Sequence, residues 1–207
     1  AKVDGLVGLD RTLIVLSSDH GVDAIPEYTQ HMGCEGGRHY PDNFFAEVNG
    51  SLRDQFAVEE DLVVSFQNPS FYLDEARVAS LGLNLTEVER ALAQTIIALP
   101  GFDDAVTRSD LLAGTVPNTA IMDQVQRAFH SKRSGHVLVV QSKSWYLYPD
   151  AEKYAAMHGS PHSYDTYVPI MIAGPGIAPL QTHRPVAPED VASTVTAYLG
   201  IKPPTGN

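Results

Sequence analysis

The sequence predicts an α/β fold, a core of buried strands into which a small α+β module is inserted, and three observations carry that prediction. Thr12-Leu-Ile-Val-Leu-Ser-Ser18 and Val168-Pro-Ile-Met-Ile-Ala173 are short apolar runs rich in branched residues, the pattern of strands buried on both faces of a parallel sheet. Each run stops at residues unsuited to a strand, Asp19-His20-Gly21 and Gly174-Pro175-Gly176. Between the two runs, helical and strand periods alternate in short segments over 38–145, enough for a compact module of its own.

Taken in order, Ala1 to Asp10 reads as the tail of a helix already under way, running out through Gly8 into the first strand, so the chain is expected to begin inside a larger protein. A Gly-rich stretch without period, from Gly21 to Pro41, is expected to be loop. Phe44, Val48, Leu52 and Phe56 recur every fourth residue behind Asp42-Asn43, giving an amphipathic helix with a candidate N-cap. Leu62 to Phe66 then reads as a strand. Thr86-Glu-Val-Glu89 has the form of a capping box, with Val88, Leu92, Ile96 and Leu99 on one face, Glu87, Glu89 and Arg90 on a solvated face, and Pro100-Gly101 as the stop. Phe102 to Thr107 and His136 to Gln141 read as strands on either side of a helix carrying Ile121, Met122, Val125, Ala128 and Phe129. Tyr148 to Tyr164 is a second aperiodic loop. The last helix runs from about Pro188 to Leu199 and presents Val191, Val195 and Tyr198/Leu199 to one side, with Gly200 suited to its C′ position.

Composition excludes several classes of function. The chain has 207 residues, 43% hydrophobic and 19% charged, and no apolar run approaches the roughly 20 residues that span a bilayer. Its 14 basic and 25 acidic side chains give a net charge of −11 with no Lys/Arg cluster, which argues against a nucleic-acid partner. The single cysteine, Cys34, cannot form an internal disulfide. The sequons at Asn49 and Asn84 fall in a predicted helix and beside the capping box, and both read as chance matches. No phosphate-binding loop, dinucleotide fingerprint, nucleophile elbow or His-Glu-x2-His motif is present.

Three groups of residues have metal-binding chemistry. Asp19 and His20, at the carboxyl end of a strand where α/β sheets place their ligands, offer the oxygen and nitrogen donors that zinc accepts; the alternative is a turn with a solvated imidazole. His158 and His162 flank Gly-Ser-Pro, which precludes a helical His-x3-His pair and leaves one of them as a ligand, or both as loop residues. His31, Cys34 and His39 supply three donors without paired spacing, against a reading of Cys34 as an unreactive thiol.

Taken together, Leu-Ile-Val-Leu-Ser-Ser-Asp19-His20-Gly21, then His158-Gly-Ser-Pro-His-Ser-Tyr-Asp165, then Ala187-Pro-Glu-Asp-Val-Ala-Ser to Gly206 resemble the closing part of the alkaline phosphatase superfamily. The branch they resemble is that of bacterial alkaline phosphatases related to type I phosphodiesterase/nucleotide pyrophosphatases. Asn68 to Leu73, Thr107 to Gly114 and Ser134 to Val140 resemble that branch as well. The resemblance implies an alkaline phosphatase-like core with an incomplete sheet, formed by 1–37 and 146–207, and an inserted α+β module at 38–145.

It further implies a two-zinc phosphoric monoester hydrolase, with phosphodiesterase or nucleotide pyrophosphatase activity and a non-catalytic binding module as alternatives. Asp19 and His20 inherit the metal that also holds the nucleophile, and His158 inherits the other; His162 inherits neither. Tyr164-Asp165 would orient His158. The nucleophile and an upstream Asp-x3-His pair have no counterpart in this sequence, so no catalytic residue is assigned and the chain alone is expected to be inactive and to retain zinc poorly. The implied partners are a phosphate ester substrate and the missing N-terminal part of the same enzyme, with self-association through unpaired strands when that part is absent. The implied location is periplasmic or secreted.

Overall fold

Helix and strand alternate in the order α1 (Lys2–Leu6), β1 (Ile14–Leu16), α2 (Pro26–His31), β2 (Gly37–His39), α3 (Pro41–Phe56), β3 (Val63–Gln67), β4 (Ser70–Leu73), α4 (Glu75–Ser80), α5 (Leu85–Ile97), β5 (Phe102–Thr107), α6 (Arg108–Ala113), α7 (Ala120–Ala128), β6 (Val137–Gln141), β7 (Trp145–Leu147), α8 (Ser163–Thr166), β8 (Met171–Ala173) and α9 (Asp190–Leu199). The computed structural model describes residues 2–147 and 154–205, so 148–153 of the second expected loop and Gly206 of the closing motif lie outside the described residues. The chain divides into Ala1–Gly21 with Tyr167–Asn207, and Val22–Thr166.

Val22–Thr166 is built on an antiparallel sheet in the order β3-β4-β6-β5. Successive side chains of β6 point to opposite faces. Val137 and Val139 pack with Phe44, Val48 and Leu52 of α3 and Val88, Leu92 and Ile96 of α5, while Leu138 and Val140 pack with Met122 and Val125 of α7. Burial on both faces explains why β6 is a continuous apolar run even though its neighbours are antiparallel.

The caps differ from the sequence reading. Pro41 occupies the first turn of α3 behind Tyr40, so Asp42 and Asn43 lie inside the helix. Asn84, not Thr86, caps α5, its side chain accepting the Glu87 N–H at 3.2 Å. Glu89 is therefore free to turn inward: it is 1% exposed and accepts the Ser109 N–H at the start of α6, where the sequence placed it in solvent. Asn49 is 3% exposed and bonds Val63 O, Leu62 N and Val63 N, so its sequon is inaccessible to a glycan. The expected loop from Gly21 to Pro41 contains α2 and β2, and β2 pairs in parallel with β7, a non-local contact that periodicity does not report.

In the other unit, β1 and β8 form a two-stranded antiparallel pair with Ile14 opposite Ala173 and Leu16 opposite Met171. Both strands sit where the sequence places them, but the expectation of a parallel sheet buried on both faces fails here. Leu16 is 58% exposed and Met171 56%, while Val15 and Ile172 on the opposite face are half-buried. The sheet is incomplete, as the fold class implied. Helix α9 ends at Gly200 in the left-handed conformation, and its apolar stripe of Val191 and Val195 is half-buried at most.

Candidate functional site

The Asp19-His20 pair follows β1 by three residues. The backbone turns sharply here, and Ser18 Oγ donates to the His20 carbonyl at 2.7 Å, closing the turn. The His20 ring places Nδ1 2.7 Å from the Gly21 carbonyl, which can only accept, so Nδ1 carries the proton. Nε2 is then the lone-pair nitrogen, the tautomer that binds a metal. It faces Asp19 Oδ2 at 3.5 Å. Two ligand atoms of one tetrahedral zinc, each about 2.1 Å from the ion, stand about 3.4 Å apart, so the pair fits a shared zinc ion. The Asp19 carboxyl is held below the ordinary carboxylate range, first by a hydrogen bond from its own backbone N–H.

His158 lies in the Val22–Thr166 unit, on the segment between β7 and α8, and its side chain is exposed. Several contacts fix the backbone around it. Asn68 Nδ2 donates to the His158 carbonyl at 3.3 Å. Gly159 has φ +102, and a Cβ there would stand 3.0 Å from Asn68 Nδ2, so glycine is required both for the conformation and for the close approach. Buried Asp165, at the start of the short α8, turns Oδ2 back to accept the N–H groups of Gly159 at 2.9 Å and Ser160 at 2.7 Å. Asp165 thus acts on the backbone that follows His158. The segment before it is held by Arg38, which pairs with Glu27 through Nε at 2.6 Å and Nη2 at 3.0 Å, donates to the Ala155 carbonyl at 2.6 Å and stacks over Tyr146 at 5.3 Å.

Two tyrosines line the inner side of this loop. Burial pushes Tyr146 up to about 12 and Tyr164 higher still, so both remain neutral donors across the physiological range. Tyr146 donates to the Ala24 carbonyl at 3.0 Å. His162 is 6% exposed, with Nε2 on the Gln141 carbonyl at 2.8 Å, an attachment of the loop to β6.

His31, Cys34 and His39 do not gather. His39 is enclosed by Phe44, Phe102 and Trp145 at ring distances of 5.2–5.3 Å, with Nε2 on the Pro100 carbonyl, whereas Cys34 is exposed. Among the described residues no group of three His, Cys, Asp or Glu side chains could hold a metal. Sequence reading missed Arg38 and gave Asn68 no role beyond its place in the Asn68 to Leu73 resemblance, since each acts across more than 80 residues of chain, from Arg38 to Ala155 and from Asn68 to His158.

Comparison with known proteins bears on what this arrangement belongs to. No family model matches the chain. It is 26% identical to alkaline phosphatase PafA of Elizabethkingia meningoseptica over 99% of its own length and 37% of that protein's. It is 26% identical to a calcium-transporting ATPase of Myroides odoratus over its full length and 37% of the relative's, and 23% identical to alkaline phosphatase PhoV of Synechococcus elongatus over 99% and 36%. The crystal structure of wild type PafA matches with a TM-score of 0.83 at 24% identity, covering 99% of this chain and 38% of that one. The fold is alkaline phosphatase-like. A multiply substituted form of PafA gives a TM-score of 0.81. The chain thus spans 37% of the length of the first curated relatives, in keeping with its reading as part of an alkaline phosphatase-like protein.

Proposed function

We propose that this chain is the C-terminal portion of a zinc-dependent phosphoric monoester hydrolase of the alkaline phosphatase type, periplasmic or secreted, with a core of 1–37 and 146–207 and a module of 38–145. The observation that carries the reading is the Asp19-His20 pair, with its lone-pair Nε2 and carboxylate oxygen 3.5 Å apart at the end of β1 in a fold of this type.

Asp19 and His20 would hold one zinc ion, and His158 would be a ligand of the other. Zinc bound by these residues would supply positive charge for an in-line displacement at phosphorus. The chain's own residues set the geometry. Gly21 O orients the His20 ring, Asp19 stays ionised, and Asp165, Asn68 and Arg38 hold the backbone on both sides of His158. The nucleophile lies on the remaining part of the same enzyme, which also covers the exposed faces of β1 and β8; without it the chain turns over no substrate, releases zinc readily and self-associates through those strands.

The test is hydrolysis of p-nitrophenyl phosphate by the whole protein that contains this chain, beside its Asp19→Ala, His20→Ala and His158→Ala variants. Each is expected to lower kcat/KM by at least about 100-fold, the upper end of what losing a mere outer-shell partner costs. Unchanged rates in all three would overturn the ligand assignment. Faster hydrolysis of bis(p-nitrophenyl) phosphate than of the monoester would replace the reaction with that of a phosphodiesterase or nucleotide pyrophosphatase.

A further inference from the structure

Two buried polar atoms of the Val22–Thr166 unit have no hydrogen-bond partner, and their residues line the same small space. Asp165 is 3% exposed; its Oδ2 accepts two backbone N–H groups, but its Oδ1 accepts none. Gln141 Nε2, at the end of β6, is likewise buried and unpaired. Both residues line one cavity of about 10 Å³, together with Tyr146, His158, Ser160 and Tyr164.

The partners and the volume narrow the occupant. The two unpartnered atoms are an N–H donor and a carboxylate acceptor, so an occupant that serves both must accept from the first and donate to the second. A cation would satisfy Asp165 but confront the Gln141 N–H; an anion would do the reverse. The volume matches the roughly 10–15 Å³ that a single water needs and excludes anything larger. A direct bond between the two side chains is opposed by the anchoring of Gln141 itself. Its backbone pairs with Phe102 of β5, and its carbonyl receives His162 Nε2 at 2.8 Å.

We propose that one internal water bridges Gln141 Nε2 and Asp165 Oδ1 and that it is a structural part of the loop carrying His158. It completes the hydrogen bonding of the carboxylate that holds Gly159 and Ser160, and it gives the loop a second tie to β6 beside the His162 bond. His158 lines the same cavity, but neither the Gln141 amide nor the Asp165 carboxylate is assigned to a metal.

The test is a crystal structure of the protein at about 1.5 Å, with hydrogen exchange on the same protein and on Gln141→Leu. The expected result is one well-ordered oxygen within hydrogen-bond distance, about 2.7–3.2 Å, of both atoms. In Gln141→Leu the Gly159 and Ser160 amides are expected to exchange at least about tenfold faster, because local opening becomes easier when the carboxylate loses its anchor. A dry cavity, a direct Gln141–Asp165 bond, or a cation at about 2.4 Å from several oxygens would overturn the proposal. Exchange unchanged in the variant would overturn the anchoring role even with the water in place. Neither readout involves zinc or hydrolysis, so failure here and failure of the proposed activity are separately visible.

Discussion

The strands β6 and β1 are the same kind of sequence in two different settings. Both are continuous runs of branched apolar residues, yet Val137 in β6 is fully buried while Leu16 in β1 is 58% exposed. The difference lies in what surrounds them. β6 has a strand on each side, α3 and α5 over one face and α7 over the other. β1 has only β8. Among the described residues, every fully buried side chain belongs to Val22–Thr166 and none to Ala1–Gly21 or Tyr167–Asn207. An apolar run thus reports a demand for burial, and in the unit that carries the Asp19-His20 pair Ile14, Leu16 and Met171 remain exposed.

The sharpest way to break this contrast is hydrogen exchange. Amides of Val137 to Val140 are expected to open only with global unfolding, at a cost of about 5 kcal/mol or more, whereas Ile14 to Leu16 should open at close to zero cost. Equal protection of the two strands would erase the contrast. Core truncation should show it as a smaller number: Leu92→Ala is expected to cost about 3 kcal/mol in denaturant unfolding and Leu16→Ala under about 0.5 kcal/mol. A Leu16→Ala cost approaching that of Leu92→Ala would mean that β1 is packed after all.

A still smaller effect tests the interior beneath the His158 loop. Tyr146 is raised from 10.0 to about 12, so the folded state keeps its proton where the unfolded chain loses it. Stability from this group is complete below pH 10 and falls as pH rises toward 12. A loss of about 1–2 kcal/mol between pH 9 and pH 11 is expected from denaturant midpoints, with Tyr164 acting in the same direction. Tyr146→Phe should flatten part of that slope; an unaltered slope would assign it elsewhere.

Local signals made much of the fold legible. The helices ending at Phe56, Ile97 and Leu199 and the strand Phe102–Thr107 were readable because periodicity and stop residues act within a few positions. What was not legible is non-local. The β2–β7 pairing joins residues more than 100 positions apart, and the inward turn of Glu89 depends on Ser109 at the start of another helix. At the candidate site, Asp19, His20 and His158 could be named from motif chemistry, with Asp165 beside them from the resemblance, whereas the contacts of Arg38 and Asn68 could not. Asp165 marks the boundary: the resemblance singled it out as orienting His158, but its contacts with the N–H groups of Gly159 and Ser160 come only with the turn of α8.

The central claim is that this chain holds zinc ligands without the nucleophile. The most direct measurement is zinc-dependent hydrolysis of p-nitrophenyl phosphate by the 207-residue chain alone, beside the whole protein that contains it. The account predicts turnover by the whole protein and none by the chain at any zinc concentration. Zinc-dependent turnover by the 207-residue chain at enzyme-like rates, abolished by His20→Ala, would contradict it.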